Sequence, residues 1–292
     1  MNKFDTRIRA EVIGLPSEGT SMRAISRATG VARQTFSDLL ENVGKAASDH
    51  RARTLVNLPC KEIECDEIWS FCYSKQKNVP EYKKGELGYG DVWTWRAIDA
   101  DTKLVPTWPV GERTIPDGYA FLADLKSRLR NAKIQLTTDG LATYLTAVDG
   151  LWVENIDFVM PHKIYGAGKG GKGPERSCSP AECTGIDIRV ISSNLDMRRV
   201  STSYVERQNL TMRMGTRWFT RLANGFSKKI QFYAHAMSLN FMYYNFARPH
   251  LSLRVHNTGG TYTKRTPAMA AGVANRIWST LEIAELIEKS ST

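Results

Sequence analysis

Apolar positions follow two different rhythms along this chain. Between Ser17 and Val43 they recur at helical spacing: Ser21, Met22, Ile25 and Ala28 fit a short helix, Thr29-Gly30-Val31 a tight turn, and Ala32 to Leu40 a second helix. Residues 44–59 are mixed and polar and read as a connecting helix or linker. After Pro59 the apolar runs become short and rich in β-branched and aromatic residues. Ile63 to Tyr73, Val92 to Asp99 and Leu104 to Val110 predict a meander of antiparallel strands, and Ile134 to Thr138 a fourth strand. Between the third and fourth runs, Tyr119, Leu122, Leu125 and Leu129 stand at helical spacing behind Pro116, which suits a first turn. A helix crossing back to a parallel strand makes the sheet mixed, so the fold class is mixed α/β. Leu141 to Val148 predicts a short helix. Pro161 to Pro180, rich in Gly, Lys and Pro, predicts a mobile loop. Helices follow over Ser203 to about Trp218, Lys228 to about Phe246, and Pro267 to Gly272 leading into Leu281 to Lys289. The division this suggests is 1–58 helical, 59–272 the main α/β domain and 273–292 a helical tail.

At 292 residues and 42% hydrophobic content the chain can bury one large core beside a small accessory region. A formal net charge of +10 favours polyanionic partners, nucleic acid first among them. That gives the N-terminal pair of helices a second meaning, because a helix-turn-helix would place its second helix in the major groove. Arg33, Gln34 and Thr35 would then reach bases, and Arg23 and Arg27 would reach phosphates. An ordinary helical hairpin gives the same pattern. No apolar run reaches membrane-spanning length and Met1 to Asp5 does not open a secretory signal, so a cytoplasmic location is expected, with no membrane partner. Cys60, Cys65, Cys72, Cys178 and Cys183 form no C-x-x-C pair and read as reduced thiols; a zinc site from the first three and a distant histidine would lack the usual spacing. Gly166 to Gly173 resembles a phosphate-binding loop but ends in Gly173 and Pro174, where a hydroxyl and a helix are needed. Trp69, Trp93, Trp95, Trp108 and Trp218 read as core.

Three carboxylates change the picture further. Asp66 sits inside an apolar, aromatic strand, where an ionised group is costly unless paired or bound to metal. Alternation puts it on one face with Glu64 and Ile68, with Cys65, Glu67 and Trp69 on the other. Asp139 follows the fourth strand and precedes Gly140, a position that suits either a ligand site or a plain turn. Glu206 is the single acid between Arg198 and Lys229, among eight basic residues. It fits a capping box with Ser203, or a helix face shared with Asn209 and Arg213 at i, i+3 and i+7. Carboxylates from separate elements suit phosphodiester chemistry on magnesium or manganese.

The stretches CDEIWSF, LTTDGLATY and STSYVERQNLTMRM, with YYNFARPHLSLR and TPAMAAG behind them, resemble the DDE transposases of bacterial insertion sequences, most of all the insertion-sequence-one type. The resemblance spans roughly Pro59 to Gly272 and is most specific from Tyr204 to Arg213. It implies a ribonuclease-H-like catalytic domain behind the N-terminal helix-turn-helix, with Asp66, Asp139 and Glu206 as catalytic ligands of two magnesium (or manganese) ions. It also implies Arg213 and Asn209 near the DNA backbone, terminal inverted repeats and target DNA as substrates, a dimer or larger DNA-bound assembly, and a nucleoid-associated setting in a bacterial cell. The cysteine-rich segment that often precedes the helix-turn-helix in such enzymes is missing. A helix-turn-helix protein that binds DNA without cutting it, and a ribonuclease-H-like nuclease that cuts without joining, are the alternatives.

Overall fold

The computed structural model describes residues 5–131, 133–152, 156–165, 183–191, 196–216, 219 and 225–289, with the backbone alone at 163, 165 and 183. The expected loop beyond residue 165, with its Gly-Lys run, Cys178 and Trp218, lies outside them.

Three helices come first: α1 (Thr6–Ser17), α2 (Met22–Thr29) and α3 (Arg33–Thr54). Ser21 caps α2 by accepting the Ala24 N–H at 3.2 Å, and Gly30 ends it in the left-handed conformation, φ 71°, which glycine adopts without strain. Ile25, Val31 and Phe36 are buried where α2 and α3 meet. The second helix does not stop near Leu40; it runs on to Thr54, so most of the stretch expected to be a connecting helix or linker is helix. Gly44 lies inside α3 where α7 (Ile230–Met242) crosses: a Cβ at Gly44 would stand 2.4 Å from the His235 Cβ. Gly44→Ala is therefore expected to lower stability by about 1–3 kcal/mol through overpacking, against a helix-propensity gain of about 1 kcal/mol. Urea denaturation decides the sign, and a net stabilisation would mean the two helices part at little cost.

The sheet is built from β1 (Glu62–Cys72), β2 (Gly90–Asp99), β3 (Val110–Gly111), β4 (Gln135–Thr138), β5 (Asp157–Tyr165) and β6 (Cys183–Val190). Among the described residues their order is β3-β2-β1-β4-β5-β6. The first three are antiparallel, β4 and β5 run parallel to β1, and β6 returns antiparallel. Helix α4 (Ile115–Arg128) makes the crossing from β3 to β4, capped by Thr114, and α5 (Ala142–Trp152) the next. This is a mixed α/β fold with the ribonuclease-H-like strand order.

Two expectations change. Residues 104–110 run beside β2, with Trp95, Ala97 and Asp99 donating to Pro109, Thr107 and Leu104, but Pro109 has no N–H to return, and only Val110 and Gly111 count as strand. Pro161, taken as the start of a loop, instead lies within β5.

Helix α6 (Ser203–Gly215) lies on β1 and β2; α7 is followed by a π-turn over Tyr243–Ala247, the β7–β8 hairpin (Val255–His256, Tyr262–Thr263), α8 (Pro267–Ala270) and α9 (Thr280–Lys289). Apolar side chains from α1, α3, the sheet, α7 and α9 join one buried cluster. Trp95 and Trp108 are buried, Trp108 stacking on Phe241, whereas Trp69 is exposed at the rim.

His50 of α3 packs edge-on against Phe246 and tilted against Trp278, with Nε2 buried and unbonded. Burial and the Arg53 charge lower its pKa to about 4. Because the unfolded chain takes up this proton near pH 6.5 and the folded chain does not, stability falls as pH drops from about 6.5 to 4. His50→Phe should flatten that part of the stability profile by about 3 kcal/mol, at 1.36 kcal/mol per pH unit, as read from denaturation midpoints at each pH. An unchanged slope would mean the ring charges without unfolding.

Candidate active site

The register of β1 on β4 brings the first two carboxylates together. Cys65 faces Thr138, so the next residues, Asp66 and Asp139, leave the paired region side by side. Helix α6 crosses in front of them and adds Glu206. All three line one open cleft of about 590 Å³, together with Arg113, His162 and Thr202.

Asp66 is held on three sides. Its Oδ1 accepts the Glu67 N–H at 2.8 Å, and its Oδ2 accepts from Arg96 Nη2 at 3.1 Å and Asn209 Nδ2 at 2.5 Å. A carboxylate offers about four acceptor positions, so one remains for a ligand in the cleft. Arg96 stands opposite Asp66 on β2, is wholly buried, and also donates to the Val205 carbonyl of α6 at 3.3 Å. It ties strand, carboxylate and helix together.

The N-terminus of α6 is fixed by a different acid from the one expected. Ser203 does not act as the N-cap of a box with Glu206; the cap position is Thr202, which offers no side-chain bond to the helix N–H groups and instead donates its hydroxyl to Glu206 Oε1 at 2.7 Å. The free N–H groups of Tyr204 and Val205 both donate to Glu64 Oε2 at 2.9 Å. Glu64 is buried on the same face of β1 as Asp66, so a single strand holds both one cleft carboxylate and the helix that carries another. Burial pushes the Glu64 carboxyl up to about 7, with the two N–H bonds acting against the rise.

Glu67 and Arg113 were not singled out from the sequence. Strict alternation turns Glu67 away from Asp66, yet one oxygen from each of Asp66, Glu67 and Asp139 lies within 4.8 Å of the others. β4 ends level with Cys65, so beyond that point both sides of β1 can reach the same space. Glu67 is buried; burial first, then the Asp139 and Asp66 charges, push it up to about 7. Burial and the Asp66 charge likewise raise Asp139. Arg113, just before α4, answers this crowding: its Nη2 lies 3.2 Å from Glu67 Oε2 and 3.7 Å from Asp139 Oδ2, and its guanidinium sits over Trp93. Three hard oxygen donors around one point, with a cation drawn in beside them, fit a divalent ion of the magnesium class. Among the described residues no comparable group of cysteines and histidines is present; Cys60, Cys65 and Cys72 are free, buried thiols.

Asn209 is brought to the site through Asp66, and His162 approaches closely because Gly140 has no Cβ, which would lie 3.0 Å from His162 Nδ1. Arg213 is half-buried one turn further along α6 and is not part of the cleft lining. Arg23, Arg27, Arg33 and Gln34 are exposed on α2 and the first turn of α3, with Thr35 half-buried; Gln34 donates to Asp38 at 2.8 Å. No helix among the described residues is long and apolar enough to cross a membrane.

No protein-family model matches the sequence, and no curated protein matches it. Solved structures similar to the chain include a piggyBac transposase synaptic complex with hairpin DNA, at 11% identity and a TM-score of 0.40, over 99% of this chain and 71% of that one. The Mos1 strand transfer complex matches at 12% identity and a TM-score of 0.24, over 82% of this chain and 78% of that one. A pre-cleavage Mos1 transpososome matches 54% of this chain and 60% of that one, at 12% identity and a TM-score of 0.23.

Proposed function

We propose that this protein is a DDE-type DNA transposase that cuts and joins DNA strands at the terminal inverted repeats of a bacterial insertion sequence, of the insertion-sequence-one type. The observation that carries this reading is the convergence of Asp66, Asp139 and Glu206, from β1, the end of β4 and α6, on one cleft. In this reading the three carboxylates hold magnesium or manganese, and Glu67 offers a fourth oxygen. Two such ions, when bound, activate the attacking oxygen and stabilise the leaving one.

The protein's own groups do the rest. Arg96, Asn209 and the Glu67 N–H fix the angle of Asp66. Glu64 holds the α6 N-terminus, and with it Glu206, at a set depth. Arg113 balances the carboxylates and is free to swing toward a phosphate once their charge is otherwise met. Arg213 contacts the DNA backbone beyond the cleft, and the exposed first turn of α3 reads the repeat through Arg33, Gln34 and Thr35, with Arg23 and Arg27 on phosphates.

The test is incubation of the protein with a DNA fragment carrying the repeats that flank its gene, with magnesium, with manganese and with chelator. Metal-dependent nicking at the repeat end followed by joining to a second DNA is the expected result. Cutting without joining would make it a nuclease, and binding without either would make it a non-catalytic DNA-binding protein.

A further inference from the structure

Among the described residues β6 is the outer strand of the sheet, and it is an unusual one to leave at an edge. Ile186 is 57% exposed, Ile188 38% and Val190 49%, all on one face, while Asp187 and Arg189 occupy the other. The hydrogen-bond phase of the strand is fixed by the Ile191 N–H, which donates to the Phe158 carbonyl of β5 at 3.0 Å. Odd-numbered residues therefore turn their backbone groups inward, and Ile186, Ile188 and Val190 turn theirs outward. Pro161, the β5 residue facing Ile188, has no N–H to offer, which agrees with that phase. An open row of N–H and C=O groups flanked by isoleucines is the kind of edge that proteins normally blunt with charge, proline or a bulge.

We propose that this edge is the contact between two copies of the chain, paired antiparallel about a two-fold axis at Ile188. In that register Ile188 meets the partner's Ile188 and exchanges two backbone hydrogen bonds with it. Ile186 meets the partner's Val190, and Asp187 meets the partner's Arg189, once on each side of the axis. The charged pairs fall at the positions between hydrogen-bonded pairs, where facing side chains come closest. Alternative centres fail. An axis at Asp187 or Arg189 would keep the hydrogen-bond phase but would set Asp187 against the partner's Asp187, or Arg189 against the partner's Arg189. An axis at Ile186 would set Asp187 against Gly185, and one at Val190 would set Arg189 against Ile191. The two-fold is also closed, so it uses up the edge rather than leaving one to propagate.

The pairing does not depend on the activity proposed above, but it bears on it. Asp187 faces His162 across the β5–β6 pair, and His162 lines the carboxylate cleft. Pairing through β6 would therefore set two clefts on the same face of one continuous sheet, close to the axis, where two DNA ends could be handled together.

The experiment measures oligomeric state by sedimentation and light scattering of the full chain, free of DNA, across the micromolar range. The wild type is expected to be a dimer. Asp187→Arg, which turns both charged pairs into repulsions, and Ile188→Lys should each weaken it by about tenfold or more. The double variant Asp187→Arg/Arg189→Asp, which rebuilds the same pairs in reverse, should restore the dimer. These side chains are on the exposed edge, so circular dichroism should be unchanged in every variant, while the melting temperature should fall only by the concentration-dependent share that the dimer contributes and should return with the charge swap. A monomeric wild type, a dimer that Asp187→Arg and Ile188→Lys leave untouched, or a charge swap that does not rescue would each overturn the proposal.

Discussion

Asp139→Asn should leave the protein folded and able to bind DNA while lowering its magnesium-dependent strand cleavage by about a hundred- to a thousandfold, the cost of losing one well-placed charge in a reaction of this kind. The change preserves shape, and an asparagine oxygen can still accept the Leu141 N–H that Asp139 Oδ1 takes at 3.1 Å. What it removes is one of three negative charges that the cluster of Asp66, Glu67 and Asp139 brings together. In the metal-free chain those charges oppose one another, and Asp139 is the leading electrostatic cause of the upward shift at Glu67. Asp139→Asn should therefore hold or raise the melting temperature without metal, while the rise in melting temperature that magnesium gives the wild type disappears. Sites assembled for chemistry commonly show this exchange of stability for function. Glu206→Gln should behave alike in cleavage, and Glu67→Gln should lose the magnesium response in part. A cleavage rate within a fewfold of wild type for Asp139→Asn would remove it from the reaction altogether.

The sequence went far toward this site and stopped at identifiable points. Asp66 and Asp139 were legible as carboxylates in and after apolar strands, and the grouping of Glu206 with them came from the resemblance in Tyr204 to Arg213. The face shared by Glu64 and Asp66 was legible as well. That Glu64 would cap α6 was not, because its targets, the N–H groups of Tyr204 and Val205, lie about 140 residues away and only the packed helix supplies them. Glu67 was lost to the alternation rule, which holds for a strand flanked on both sides and loosens where β4 ends. Arg113 carried no local signal; its place follows from the turn into α4. The unbroken run of α3 past Leu40 was not legible, because glycine is costly inside a helix and Gly44 is kept there by the 2.4 Å approach that a Cβ would make to the His235 Cβ. β5 was hidden by Pro161, which a strand tolerates where its missing N–H faces no partner.

Arg96→Met should destabilise the fold by about 3–5 kcal/mol, as expected when one partner of a buried ion pair is removed. The guanidinium is wholly buried, and its Nη2 is shared between Asp66 Oδ2 and the Val205 carbonyl. Methionine fills much of the volume, so the loss would come from charge and hydrogen bonding rather than from a cavity. Asp66 would keep the Asn209 and Glu67 donors but lose its only buried counter-ion among the described residues. Adding Asp66→Asn to Arg96→Met should recover a large part of the stability, since replacing both members of such a pair is often nearly neutral. The double variant would nevertheless stay inactive, because the proposed chemistry needs the carboxylate. Denaturation of the two single variants and the double, taken as a thermodynamic cycle, isolates the coupling. A coupling near zero would mean that Arg96 serves α6 through Val205 alone, and that the angle of Asp66 is set by Asn209. A coupling of several kcal/mol would make Arg96 the residue through which the stability of β1, β2 and α6 depends on the charge of the cleft.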